Sequence, residues 1–400
     1  MSVDSGIRPW AELFASRVDL GPGIEISSFI GHAGQPGLIA FSGGFPDPVT
    51  FDVPQLQELI GGVLADPAAL QYGATAGLAG LRDWLGSWID ARDGGQLAEN
   101  ELMITSGGME GLTLLNLCLV DPGDKVLVEG PTFMGALAAI KYAQAQPIAI
   151  AMDDQGLDTD DLERVLASGV RAKYLYVISD FQNPTGRSLS TPRRHVLIEL
   201  ARRYGLVIVE DVAYRELGFD DERLPSLRTL APDVVVQLGT FAKTFMPGLR
   251  LGWMAGPAEL LAQVVRAKQY TDQCASPVGQ RLLEEFGRSG GFDRSLLMKR
   301  DFYRARCEIM MSALAEHLPA EVSFTRPAGG FFSWLTAPAS TDTSALPKLA
   351  MAEGVAFLPG QIFYPDGRGG NELRLAFSKV PEDQIAEGIR RLARILQSLI

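Results

Sequence analysis

Cysteine and histidine are scarce in this chain of 400 residues, with three of each. Cys118, Cys274 and Cys307 are odd in number and far apart, which argues against a disulfide framework and fits reduced thiols in a cytoplasmic protein. His32, His195 and His317 stand isolated, and no Cys/His spacing suggests a metal. Positive charge is in deficit: 36 Lys and Arg against 48 Asp and Glu give a net charge of −12, which disfavours nucleic acid or an anionic membrane as partner. No apolar run approaches the ~18 residues a spanning helix needs. Asp4, Arg8 and Glu12 leave no long apolar stretch at the start, so neither a signal peptide nor an anchor is expected there. Repeats, low-complexity tracts and a helix-turn-helix pattern are also missing.

What is present is apolar content of 46% over a length that can bury two cores, so two domains are expected. Apolar strands are read near 102–105, 125–129, 146–151, 174–178, 206–210, 234–238 and 251–255. Helix-like segments such as Phe133–Tyr142, Leu157–Leu166 and Thr191–Tyr204 separate them. That alternation predicts an α/β fold, a mostly parallel sheet flanked by helices. After Gly291 the pattern changes to a long charged amphipathic helix through Arg304 and Arg306, short strands near 321–335 and a final helix from Glu382 to Leu396, which reads as a smaller α+β domain. The stretch from Met1 to Leu38 has no continuous period and reads as an arm.

Three polar groups emerge from successive β-units. The strand Tyr174–Ile178 runs into Asn183-Pro184-Thr185-Gly186, which puts Asn183 at the carboxyl edge of the sheet, where open α/β folds bind ligands. Leu206–Val209 ends in Glu210-Asp211-Val212-Ala213-Tyr214, and a carboxylate at the end of a buried strand is costly unless a cation meets it. A protonated pyridine nitrogen is such a cation. Lys243 then lies among small and apolar residues, with Arg250 close behind. Loss of hydration disfavours a lysine's charge and leaves a neutral amine able to attack an aldehyde. Arg250 could neutralise a phosphate on the same molecule. A further short strand, Leu102–Thr105, feeds Gly107 and Gly108 into an apolar helix, a start that suits an anion. Taken singly, each of these has an ordinary reading as a strand end, a turn or a helix start; their combination does not.

With these motifs the chain resembles the fold type I, pyridoxal-phosphate-dependent aminotransferases of class I and II, in particular the branch with 2-aminoadipate, kynurenine and aromatic aminotransferases. The resemblance runs from Phe41-Ser42-Gly43-Gly44-Phe45-Pro46 to Asn371-Glu372-Leu373-Arg374-Leu375-Ala376-Phe377. It implies an aspartate aminotransferase-like fold: an N-terminal arm over 1–45 that completes the small domain, a cofactor domain over 46–290 and a small domain over 291–400. By the same resemblance Lys243 joins pyridoxal 5'-phosphate as a Schiff base and shuttles the Cα proton, and Asp211 pairs with the ring nitrogen. Asn183 and Tyr214 bond the ring hydroxyl, and Arg374 grips the substrate α-carboxylate in a fork lysine could not match. Phe133 falls where a ring stacks over the pyridine, and Tyr72 where a hydroxyl reaches the phosphate of the neighbouring subunit of a homodimer.

The phosphate cup departs from the family. Relatives often carry hydroxyl and amide side chains near Gly108 and Met109, which are missing here, so the cup would rest on backbone donors of Gly107, Gly108 and Met109 plus Thr240 and Arg250. Ala242 stands where relatives often place serine. On the substrate side, acidic-substrate relatives use an arginine just before the Gly43-Gly44 loop, where this chain has Ser27, with only His32 as a cation nearby. The expected donor is therefore a neutral, apolar or aromatic amino acid, its pocket including Gly44, Phe29, Ile30 and Asn183, with a 2-oxo acid as acceptor in a ping-pong transfer. The same fold and site also host lyases, racemases, decarboxylases and oxidases. A non-catalytic ligand-binding regulator is a further alternative, opposed by Lys243, Asp211, Tyr214 and Arg374 all being present.

Overall fold

The structure is a computed structural model that describes residues 10–18, 37–341 and 346–400. In chain order its strands are β1 (Ile39–Ala40), β2 (Leu102–Thr105), β3 (Lys125–Gly130), β4 (Gln146–Asp153), β5 (Gly156–Leu157), β6 (Ala172–Val177) and β7 (Val207–Asp211). These are followed by β8 (Val235–Thr240), β9 (Gly252–Ala255), β10 (Ser323–Phe324), β11 (Phe332–Thr336), β12 (Val355–Ala356), β13 (Leu358–Pro359) and β14 (Glu372–Ala376). One sheet has the order β2-β9-β8-β7-β6-β3-β4-β5. Its centre, from β4 through β3, β6 and β7 to β8, is parallel.

The central strands read as unbroken apolar runs because both faces are covered. Leu127, Leu175, Ile208 and Val235 point to one side, against Leu162, Leu197 and Leu200 of the helices Thr159–Ala167 and Thr191–Tyr204. The alternate residues Val128, Tyr176, Val209 and Val236 enter a second core with Leu115 of the helix Gly108–Leu119 and Tyr303 of the helix Gly291–His317. Truncating a leucine such as Leu175 here would cost ~2–5 kcal/mol. A third core packs Leu81, Ile104, Leu283 and Phe286 beneath the β2 edge.

The small sheet, β10-β11-β14-β13, is antiparallel throughout. The long helix Gly291–His317 packs on the final helix Glu382–Gln397. β1 pairs in parallel with β12, so the segment before the large sheet joins the chain's last third.

Boundaries differ from the sequence reading by one or two residues, for local reasons. Leu157 belongs to β5, and the following helix starts only at Thr159 because Asp158 accepts from the N–H groups of Asp160 and Asp161 at 2.9 and 3.2 Å. β12, β13 and β14 had no sequence expectation as strands; the first two are only two residues long. The main topological addition is β9, which is antiparallel to both neighbours. Its first residue, Gly252, lies opposite Thr105, the last of β2, and Thr240, the last of β8. The reversal delivers Arg250 to the same sheet edge as the carboxyl ends of β2, β6, β7 and β8.

Candidate active site

Asp211 closes β7 at that edge. Tyr176 of β6 donates its hydroxyl to Oδ2 at 2.6 Å, and the Ala213 N–H donates to Oδ1 at 3.0 Å. Burial pushes the carboxyl up from its ordinary range, opposed by these two donors and by the charge of Lys243. Behind it, Glu129 is 1% exposed and accepts from the Ile178 N–H at 3.0 Å and from Gln182 Nε2 at 3.1 Å. Burial pushes Glu129 up to about 8, so near neutral pH it is mostly protonated and adds little negative charge beside Asp211.

Lys243 follows β8, and its Nζ donates to the carbonyl of Gly44 at 3.1 Å. Burial, then the positive charge of Arg374, pulls the amine down to about 8; Asp211 works the other way and Arg250 adds to the lowering. A substantial fraction is therefore a neutral nucleophile at mildly alkaline pH.

Arg374 comes from β14 and is 3% exposed. One guanidinium nitrogen donates to Asn183 Oδ1 at 2.9 Å and another to the Ser42 carbonyl at 2.6 Å. Its Cζ sits 4.3 Å from the Phe332 ring centre. Nε has no partner, and burial pulls the group down to about 10. Its hydrogen-bond acceptors among the described residues are neutral, and no carboxylate pairs with it there. A buried cation satisfied only by neutral acceptors is costly, and an anion would relieve it. Tyr214 stands beside it, hydrogen-bonded to Asn183, its phenol held up by burial and its ring edge-on to Phe332 at 5.4 Å.

Between β2 and the helix Gly108–Leu119, Gly107 has φ 94°. The helix has no side-chain cap, so its first N–H groups have no side-chain acceptor. A Cβ at 252 would come within 2.7 Å of Gly107 C and Gly108 N, which is why this close approach needs glycine. Arg250, itself in the left-handed region at φ 53°, lays its guanidinium beside Gly107. Thr240 Oγ1 accepts from the Ala242 N–H at 3.1 Å. Unused helix-start N–H groups, a hydroxyl and an arginine are the donor set of a phosphate site.

Lys243, Asp211, Tyr214, Asn183, Thr240, Arg250, Gly108, Met109, Phe133, Gly44 and Arg374 all line one cavity of about 240 Å³. Gly107 adjoins it through Arg250. Tyr72 does not line it and is 75% exposed in the single chain. Phe29 and Ile30 lie outside the described residues, as do Ser27 and His32. The lining residues not singled out as site residues from the sequence include Ser42, Phe45, Tyr176 and Phe332. Tyr176 had a signal, since a tyrosine in a fully buried strand needs a partner for its hydroxyl. The cavity thus offers an anion cup, a buried acid, an amine of lowered basicity and a guanidinium without an acidic partner. That set fits a phosphorylated, nitrogen-containing aromatic aldehyde together with a carboxylate-bearing substrate.

A family model described as aminotransferase class I and II matches residues 43–392. A 2-aminoadipate transaminase of Thermus thermophilus is 36% identical, with 98% of each chain covered. An aromatic-amino-acid aminotransferase of Thermococcus litoralis is 37% identical over 90% of this chain and 88% of its own. Among solved structures, an α-aminoadipate aminotransferase of Thermus thermophilus, complexed with N-(5'-phosphopyridoxyl)-L-leucine, superposes with a TM-score of 0.91 at 36% identity, covering 98% of this chain and 99% of the other.

Proposed function

This chain belongs to the class I and II aminotransferases, and within that family we propose that it moves the α-amino group of a neutral, apolar or aromatic amino acid to a 2-oxo acid in two half-reactions of a ping-pong cycle. Its cofactor is pyridoxal 5'-phosphate. When bound, that group supplies an electron-poor ring that takes up the charge left when a Cα proton is removed. The chain's residues do the rest. Asp211, oriented by Tyr176, would keep the ring nitrogen protonated, and Asn183 and Tyr214 would bond the ring hydroxyl. Phe133 would cover the ring face. The N–H groups of Gly107, Gly108 and Met109, with Thr240 and Arg250, hold the phosphate. Lys243 holds the cofactor between turnovers and, once free, takes the Cα proton as a neutral amine and returns it.

The observation that carries the reading is Arg374: a buried guanidinium with an unused Nε and no acidic partner among the described residues, in the same cavity as Lys243. It fits the carboxylate of an α-amino acid. Lys243, Arg250 and Arg374 are the cations lining the cavity among the described residues, and each has a role already. A distal carboxylate would meet Phe45, Phe332 or Leu358 instead, at a cost of roughly 1–3 kcal/mol. The relatives' names span both acidic and aromatic donors, and the leucine adduct of the Thermus structure supports apolar side chains near such a site.

In the same reading the protein is a cytoplasmic homodimer in which Tyr72 serves the partner's phosphate; its 75% exposure supports a role outside its own chain. In this reading the cofactor domain runs over 46–290 and the small domain over 291–400, with 1–45 as an arm and part of the small domain, a reading that the pairing of Ile39–Ala40 with Val355–Ala356 supports. No helix among the described residues is long and apolar enough to cross a membrane.

The test is incubation of the purified protein with single amino acids and 2-oxoglutarate, followed by assay of glutamate. Glutamate formed from leucine, phenylalanine or methionine is the expected result. Ammonia, carbon dioxide, hydrogen peroxide or the D-amino acid without glutamate would replace transamination by lyase, decarboxylase, oxidase or racemase chemistry.

A further inference from the structure

Behind the cup lies a lysine that the amino transfer does not use. Lys268, on the helix Ala258–Gln269, has a side chain that is 0% exposed. Its Nζ donates to both oxygens of Glu110, at 2.9 and 2.8 Å, and to both of Asp272, at 2.7 and 2.8 Å. The two acids in turn grasp one residue. The Ser106 N–H donates to Glu110 Oε2 at 2.5 Å, and the Ser106 hydroxyl donates to Asp272 Oδ2 at 2.5 Å. Ser106 immediately precedes Gly107, and Glu110 lies in the first turn of the helix whose N–H groups face the cup.

We propose that Lys268 is a positioning residue for the cofactor phosphate, fixing through Glu110 and Asp272 the loop Ser106–Gly108 whose N–H groups meet the anion. The proposal rests on the reading of that loop as the phosphate cup. Two features of this chain make such a device necessary. The first is the absence of hydroxyl or amide side chains at Gly108 and Met109, so that affinity depends on where backbone N–H groups point. Gly107, at φ 94°, is free to turn unless its neighbour is held. The second is charge. Carboxylates close to a phosphate repel it, and Lys268, which does not line the cavity, offsets them through its contacts with both. Burial raises the Glu110 carboxyl above its ordinary range, while for Asp272 burial is outweighed by the hydrogen bonds of Lys268, Ser106 and Glu110, and its carboxyl is lowered.

The experiment measures the dissociation constant of pyridoxal phosphate for the cofactor-stripped full chain, with the ³¹P resonance of the bound cofactor as a direct probe of the cup. Lys268→Met is expected to weaken binding roughly tenfold or more, to move the ³¹P resonance, and to lower kcat at saturating cofactor by a much smaller factor. Ser106→Ala removes one link without disturbing the ion pairs and is expected to weaken binding about threefold. If Lys268→Met does not fold, the Ser106→Ala constant and its ³¹P signal decide alone. Unchanged affinity and an unmoved resonance in the variants that fold, whatever happens to the melting temperature of the stripped protein, would reduce Lys268 to a packing role and overturn the proposal. A parent protein that does not take up pyridoxal phosphate at Lys243 would instead refute the cup itself.

Discussion

Tyr176 and Asp211 are joined by a 2.6 Å hydrogen bond across two adjacent parallel strands, so the sheet register itself aims the carboxylate. Asp211→Asn keeps the shape and removes the anion. The expected result is a protein that still binds cofactor while kcat falls by about 100-fold or more, the scale on which lost electrostatic stabilisation is felt. Tyr176→Phe removes only the orienting donor, with an expected loss of ~1 kcal/mol, a few-fold in kcat. Normal turnover of the Asn variant, measured under saturating amino acid, would remove Asp211 from the reaction.

Lys243→Ala is expected to abolish turnover and the yellow Schiff-base absorbance together. Borohydride reduction followed by peptide mapping provides the check: a pyridoxyl adduct on Lys243 in the parent and none on any lysine of the variant. An adduct persisting in the variant would assign the linkage elsewhere.

Attachment of pyridoxal phosphate to the cofactor-free protein needs the neutral amine. Because the Lys243 amine is pulled down to about 8, the attachment rate is expected to rise from about pH 7 through a midpoint near 8 and to level off by about pH 9, short of the ordinary lysine range. Stopped-flow absorbance at a series of pH values reads the midpoint; a rise continuing past about pH 10 would show that the amine is not perturbed.

Substitution of Arg374 by lysine preserves charge and loses the fork. An increase of roughly tenfold or more in KM for the amino acid is expected. The companion comparison is kcat/KM for leucine, phenylalanine and methionine against 2-aminoadipate and aspartate. A clear preference for the dicarboxylates would point to a cation beyond those that line the cavity.

Glu129 has a consequence for stability. Its folded pKa, about 8, exceeds the ordinary 4.5, so the folded chain holds a proton that the unfolded chain releases between those values. The contribution is present in full below about 4.5 and is lost at up to ~1.4 kcal/mol per pH unit as pH rises toward 8. Glu129→Gln, which keeps an acceptor for the Ile178 N–H, is expected to flatten that decline in urea unfolding between about pH 5 and 8. An identical slope in the variant would show that Glu129 is already ionised.

Much of this was legible in the chain because parallel strands buried on both faces leave apolar runs, and the residue after each run lands at the ligand edge. Asn183 and Asp211 were located that way, and Lys243 by its small and apolar neighbours with Arg250 close behind; all three line the cavity. Strand direction was not legible: β9 reads like its neighbours, and only its pairing reveals that it runs the other way. Tyr176 was hidden inside such a run, where a phenol counts as apolar. Ser42 acts through its carbonyl, which leaves no mark on residue identity. The Lys268 cluster joins positions 106, 110, 268 and 272, and no local pattern connects the two pairs.

The reversal of β9 also orders events in time. β2 carries the cup, yet within the sheet its only neighbour is β9, so Leu102 finds its partner in Ala255, far later in synthesis. A nascent chain arrested at Thr240 has already made the strands that bear Asn183 and Asp211 and still has neither Lys243 nor a ladder to hold Gly107 in place. Loop closure over that separation must precede any contact that rewards it. The ladder that holds the cup therefore closes only once β9 has been made, after the strands that bear Asn183 and Asp211.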